Sequence, residues 1–369
     1  MRKILLATTA LVGFVAAGAA QAATAPLNVT VGGSIDFVAG AMHESRAAGA
    51  TNSSSGDFET VYSLAFGVTG KAANGIEYGG TLVLDNDDYA ATAANINGNS
   101  NTIAVTAANL FMSGAYGKVV LGDQRGVTDL AVAAPSVVGI RYLDFLDSTR
   151  YSKKLVLGVD AKDHSTAIAY YTPKVGNEYG KVQAGVSYAT NFGQYGSDVQ
   201  LTKTAGYKNV LKGALGYTGN IKGVAVAASG HVVSGNMNQS IQSGATSARP
   251  FFAWGAGLNG AYQGFTVGFN YADFGHLTTN STQNKSQQTF GAGIKYEFNK
   301  YTVGFNWLGG EGYDYLTVGG GAQTQYRVKD FNNYGFGAAY TWAPGLTTDV
   351  DAVLFTQTLD KTGAKDNDG

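Results

Sequence analysis

Between residues 124 and 165 the chain gathers Arg125, Arg141, Arg150, Lys153 and Lys154 around Asp144 and Asp147. Opposed charges on one segment orient water and attract or repel small ions, but they carry out no covalent chemistry by themselves. The same segment is rich in apolar residues: Val127 to Ile140 is largely aliphatic, and Tyr142, Leu143, Phe145 and Leu146 follow. A stretch this apolar is costly on a solvated rim. Packed against an inner wall, it buries those side chains and turns its charges toward enclosed water. The alternative is an external loop with ordinary surface ion pairs.

Other constellations carry less. Gly255-Ala256-Gly257-Leu258-Asn259-Gly260 fits the G-x-G-x-x-G spacing, yet a dinucleotide fingerprint needs a strand before it and a helix opening on it. Here the glycines lie inside an alternating run that ends at Tyr262 and a tight turn. Gly176 to Lys181 falls one residue short of a phosphate-binding loop and reads as a turn. His43, His164, His231 and His276 have no i, i+4 partner and no neighbouring carboxylates in a metal-binding pattern. No G-x-S-x-G elbow occurs. Asp85, Asp87 and Asp88 offer oxygens to a divalent cation, although a solvated loop is the simpler reading. These residues imply no enzyme and no cofactor.

The elements that would hold the charged segment follow a rhythm. From residue 27 to residue 358, runs alternating apolar with small or polar residues are joined by connections that are alternately very short and long. The short ones are Lys71 to Gly75, Gly114 to Gly117, Pro173 to Tyr179, Gly219 to Gly223, Gln263 to Gly264, Asn299 to Lys300 and Ala343 to Gly345. The long ones are 43–56, 86–100, 124–165, 191–207, 235–250, 276–286 and 311–328. Antiparallel neighbours need only a tight turn, and a membrane barrel keeps short turns on its periplasmic rim and long loops outside.

Successive side chains of a strand point to opposite faces. Phe265, Val267, Phe269 and Tyr271 therefore share one face, with Thr266, Gly268 and Asn270 on the other; Tyr301, Val303, Phe305 and Trp307 alternate likewise with Thr302, Gly304 and Asn306. A soluble sandwich would alternate too, so aromatic placement decides. Tyr262, Phe265, Phe298, Tyr301 and Trp342 crowd the short turns, while Phe252, Trp254, Tyr271, Phe290 and Trp307 stand at the loop ends. Two such belts mark two lipid–water interfaces.

The pattern predicts an all-β fold, a transmembrane up-and-down antiparallel barrel. Fifteen strands are expected, at 27–42, 57–70, 76–85, 101–113, 118–123, 166–172, 180–190, 208–218, 223–234, 251–262, 265–275, 287–298, 301–310, 329–342 and 346–358. Single-chain bacterial barrels have an even number. Leu359 to Gly369 then reads as the start of an eighth external loop, with a sixteenth strand missing from the sequence. Inward parity supplies candidate wall charges of both signs: Asp36, Glu59, Glu77, Lys118, Lys181, Lys212, His231, Lys295, Glu297, Asp349 and Asp351.

Compartment follows from the first residues. Arg2 and Lys3, the apolar stretch Ile4 to Ala20 and the small residues of Ala20-Gln21-Ala22 read as a signal peptide over 1–22, leaving one barrel domain over 23–369. Loss of Arg2 and Lys3 takes the 25 basic residues to 23 against 26 acidic ones, a charge of −3. No basic excess invites nucleic acid. The absence of cysteine removes disulfides and thiolate metal sites together. Beyond the leader no run reaches the ~18 apolar residues of a spanning helix. Only 5 prolines against 52 glycines suits strands that need their ladder bonds but not a packed interior.

The stretch Leu110-Phe111-Met112-Ser113-Gly114-Ala115-Tyr116-Gly117-Lys118-Val119-Val120-Leu121-Gly122-Asp123-Gln124 is similar to a strand, tight turn and strand of the general porins of Gram-negative bacteria, and the chain resembles that family over nearly all of its length, the alphaproteobacterial type above all. The resemblance implies a sixteen-stranded, trimeric, water-filled pore in the outer membrane, set among lipid and lipopolysaccharide, with 124–165 folded inward to narrow the channel. Family members commonly end on an aromatic residue, usually Phe, which this chain lacks; that departure agrees with a missing strand. The family's wall opposite that loop is often rich in arginine, and here lysines stand in. The expected function is passive diffusion of small hydrophilic solutes and ions, with no nucleic-acid partner. Alternatives are a substrate-selective channel, for which a ladder of inward aromatics or a cluster of arginines is wanting, and a structural or adhesive barrel.

Overall fold

The computed structural model describes residues 27–44, 53–85, 104–131, 165–192, 207–238, 248–275, 287–318, 322–359 and 367–368. They form one antiparallel sheet in which, apart from one interrupted strand, each strand pairs with the next along the chain. The strands are β1 (Asn28–Glu44), β2 (Ser53–Lys71), β3 (Glu77–Asp85), β4 (Ala104–Gly114), β5 (Gly117–Gln124), β6 (Ser165–Tyr171), β7 (Val175–Asn177), β8 (Gly180–Phe192) and β9 (Tyr207–Ile221). They continue as β10 (Val224–Asn238), β11 (Ala248–Tyr262), β12 (Phe265–Asp273), β13 (Gln288–Phe298), β14 (Tyr301–Val318), β15 (Ala322–Ala343), β16 (Leu346–Leu359) and β17 (Asn367–Asp368). A short 3₁₀ helix, Gly126–Ala131, follows β5.

Local chemistry sets the joints. Lys222 and Gly223 have φ of 51° and 89°, and Gln263 and Gly264 have 47° and 86°. Both central residues are left-handed, as in the two-residue turns whose twist matches that of the strands they join. Pro173, which cannot donate to a ladder, separates β6 from β7. Both segments pair with β8, so together they fill one place, and the seventeen runs occupy sixteen places in an up-and-down order. The last place is held by β17, where Asn367 pairs with Gln357 and Asp368 with Thr356. Residues 367 and 368, expected in an external loop, instead return to β16.

A second difference concerns 311–328, expected as a long loop. Here β14 and β15 continue as a two-stranded ribbon from Gly312↔Val328 up to Val318↔Ala322, after a register shift between Gly310 and Gly312. The period-2 pattern persists there: Tyr313, Tyr315 and Thr317 stand opposite Arg327, Gln325 and Gln323. The connections expected at 43–56 and 235–250 are shortened in the same way by β1, β2, β10 and β11.

The outer face is apolar. Ile35, Phe37, Phe58 and Leu110 are 80%, 71%, 73% and 65% exposed, a display that water would penalise and lipid would not. Near the short turns the rings form a continuous chain, Phe265–Tyr296–Phe298–Tyr301–Tyr340–Trp342, with centroid separations of 4.2, 5.2, 5.4, 4.9 and 4.7 Å. Toward the loop ends, Trp254 meets Tyr271 and Phe290 meets Trp307, each at 5.1 Å. The two belts expected from the sequence are thus present, with an apolar band between them.

Candidate functional site

The opposite parity faces inward, and it is polar and small. Across β11 to β13 the row Gly257, Asn270, Gly291 runs at one level, and Gly293, Asn306, Gly335 crosses β13 to β15 at another. Carboxamides flanked by glycines leave room beside each side chain and present no apolar surface, which suits a wall that meets water. Toward the loop end the inner face of β9 to β12 changes character: Val210, Val233, Phe251, Ala253, Ala272 and Phe274 form a buried apolar cluster.

The wall charges separate by strand. Asp36 lies opposite Val61 on β1 and β2, Glu59 shares that face by register, and Asp349 and Asp351 stand on the inner parity of β16. The lysines take other strands: Lys118 on β5, Lys181 on β8 and Lys212 on β9. Lys118 is exposed near the short turns, with Nζ 4.6 Å from the Phe111 ring centroid. On β13, Lys295 Nζ donates to Glu297 Oε1 at 3.1 Å, so those two wall charges largely cancel each other.

The long connection after β5 starts by turning inward. Its root is held by four side chains of the inner wall. Gln124 Nε2 donates to the carbonyls of Val120 and Ala167 at 3.0 and 3.1 Å. Tyr171 Oη donates to Gly126 O at 2.9 Å, Val127 N donates to Ser187 Oγ at 3.3 Å, and Lys212 Nζ donates to Arg125 O at 2.9 Å. Val127 is fully buried and packs with Val120, Ala169 and Ala214. Two wall glycines make this approach possible. A Cβ on Gly185 would come 2.7 Å from Val127 Cγ1, and one on Gly216 would come 3.1 Å from Leu130 O.

Among the expected constriction residues, Arg125 is at this root. Arg141, Asp144, Asp147, Arg150, Lys153 and Lys154 lie outside the described residues, as do Asp87, Asp88 and the leader at 1–22. Asp85 closes β3 opposite Ala104. Among the described residues no group of three or more His, Cys, Asp or Glu is placed to hold a metal ion. Sequence reasoning missed Gln124, Tyr171 and Ser187. Their inward parity was readable, but which of them would meet the connection was not.

A single sheet wound up and down, apolar and ring-belted outside, polar and glycine-rich inside, defines a transmembrane β-barrel of the outer-membrane type. A family model for Gram-negative porins matches residues 7–358, and the chain belongs to that family. No curated protein matches the sequence. Among solved structures, the anion-selective porin from Comamonas acidovorans aligns with a TM-score of 0.59 at 14% identity, covering 93% of this chain and 94% of that one. OmpF of Salmonella typhi in complex with daunomycin gives 0.55 at 12% identity, over 93% and 95%. The outer membrane channel DcaP of Acinetobacter baumannii gives 0.54 at 11%, over 93% and 94%. At these identities the likeness is one of fold. The protein is an outer-membrane porin of a Gram-negative bacterium, a channel for passive diffusion.

Proposed function

We propose that the channel passes small hydrophilic solutes and ions as a class, sorting them by size and charge rather than binding one of them. The observation that carries this reading is the inner wall of β11 to β15, where, among the described residues, single carboxamides alternate with glycines and no stack of rings or row of arginines faces the water. Such a wall hydrogen-bonds to any polar solute weakly and to none in particular.

The remainder of 124–165 narrows the lumen in this reading. Support comes from its root, which is fixed to the inside of β6, β8 and β9, and from its apolar sequence, which suits the apolar cluster on β9 to β12. Asp144 and Asp147, with the basic residues around them, then stand near the narrowest point. Acids on β1, β2 and β16 facing lysines on β5 and β8 add a second transverse field. The mature chain begins near Ala23, and the apolar outer wall sits among lipid and lipopolysaccharide as part of a homotrimer, the assembly that family resemblance implies. Liposome swelling with a series of neutral sugars tests the proposal. Rates should fall smoothly with solute size and rise linearly with concentration, whereas saturation by one sugar would indicate a dedicated binding site.

A further inference from the structure

We propose that Lys212 is a positioning residue that latches the root of the 124–165 connection to the barrel wall and so holds the pore at its open width. The inference rests on the reading of that connection as the narrowing element, and goes beyond it by naming what holds it. By parity Lys212 belongs to the lumen and would be taken for a wall charge that attracts anions. Its surroundings say otherwise. It is only 3% exposed, and Nζ donates to the main-chain carbonyl of Arg125 at 2.9 Å. Withdrawing an ammonium group from water is costly unless its N–H groups are used. A lysine kept at such a place is better suited to holding the carbonyl it reaches than to meeting passing ions.

The neighbours act in the same direction. On β8, directly beside Lys212, Ser187 accepts from Val127 N, and on β6 Tyr171 donates to Gly126 O. Three consecutive residues of the root, Arg125, Gly126 and Val127, are therefore each bonded to a different strand. Gly126 has φ of 74°, so this bend is one that a side chain would oppose. The glycine at 185 leaves the space that Val127 fills. Lys212 supplies the charge-assisted bond of the set, the strongest kind.

The test separates a latch from a lumen charge. The chain has no cysteine, and a Cβ on Gly216 would lie 3.7 Å from that of Leu130, within the ~3.5–4.5 Å that a disulfide takes. Oxidation of the Leu130→Cys, Gly216→Cys variant should cross-link the root to β9, and this is read from protein alone, with no need of conductance. Adding Lys212→Met should slow that cross-linking about tenfold, the scale of one lost charge-assisted hydrogen bond. In planar bilayers Lys212→Met alone should shorten the fully open level by a similar factor and break it into sub-levels, with the reversal potential nearly unchanged. Lys212→Arg should restore long openings, as should the oxidised cysteine pair in the Lys212→Met background.

A steady open level together with a reversal potential shifted toward cations would show an ordinary lumen charge and overturn the latch. So would a cross-linking rate that Lys212→Met leaves untouched. Should Lys212→Met not fold, Tyr171→Phe removes one root bond without touching a buried charge, and must move both readouts in the same direction; a folded Tyr171→Phe protein that conducts like wild type and, with the cysteine pair added, cross-links like the pair alone refutes the proposal. A Leu130→Cys, Gly216→Cys protein that cross-links, beside a wild type that conducts nothing, would instead refute the channel reading while the root geometry stood.

Discussion

Phe305 and Asn306 are adjacent residues at one depth on opposite faces of β14, and replacing each by arginine weighs lipid against water directly. Phe305 belongs to an outward row, Val267, Ile294, Phe305 and Phe336, that crosses four strands between the two ring belts. An arginine on the lipid face at mid-membrane costs roughly 2–4 kcal/mol. The lost contact with Phe336, whose ring centroid is 4.9 Å away, adds roughly 0.5–1.5 kcal/mol. Together that is about 3–5 kcal/mol, or more than a hundredfold in the folding equilibrium at about 1.4 kcal/mol per factor of ten. Asn306 instead faces inward between Gly293 and Gly335, where a longer side chain has room and meets water. The Asn306→Arg change should cost no more than about 1 kcal/mol. Denaturant titration of refolding into vesicles, followed by the heat-dependent gel mobility of the folded barrel, reads both. Equal losses for the two variants, or a larger loss for Asn306→Arg, would refute the assignment of faces.

Three further outcomes are expected. Single cysteines at Asn74, Gly219 or Asn299 should resist a membrane-impermeant thiol reagent on intact cells, while cysteines within 86–100 should react; labelling confined to the turn positions would invert the orientation. Protein taken from outer-membrane fractions should begin near Ala23, and N-terminal sequencing that found Met1 would reject the leader. Neutralising Asp144 and Asp147 to Asn should move the reversal potential toward anions with little change in yield. The same change at Asp87 and Asp88 should do much less, because physiological salt screens a rim charge beyond about 8 Å; an unmoved potential in the Asp144, Asp147 variant would place the narrowing elsewhere.

Much of the barrel was legible because two periods coincide in the sequence. Alternation assigned Val267 and Phe305 to one face and Gly268 and Asn306 to the other, and tight turns such as Gln263-Gly264 fixed where each pair of strands reverses. The ribbon at 311–328 was not legible. A strand that crosses a membrane needs only about ten residues, so the glycines from Gly309 to Gly312 read as the end of one, whereas they mark a register shift after which pairing resumes. The tail behaved similarly, since two residues at 367–368 give no pattern to read. At the lumen, parity told which way Lys212 points but not whether its charge meets water, for that depends on Arg125, 87 positions earlier. Gly185 and Gly216 read as strand glycines of no special role until Val127 and Leu130 are seen against them.

Single-channel conductance of the protein in a planar bilayer tests the central claim most directly. Stepwise insertions with an open level that scales with bulk electrolyte conductivity, and that falls as neutral polymers small enough to enter the pore are added, are predicted for a water-filled lumen between polar walls. Folded protein that inserts yet leaves the membrane current at its baseline in every electrolyte would contradict the account.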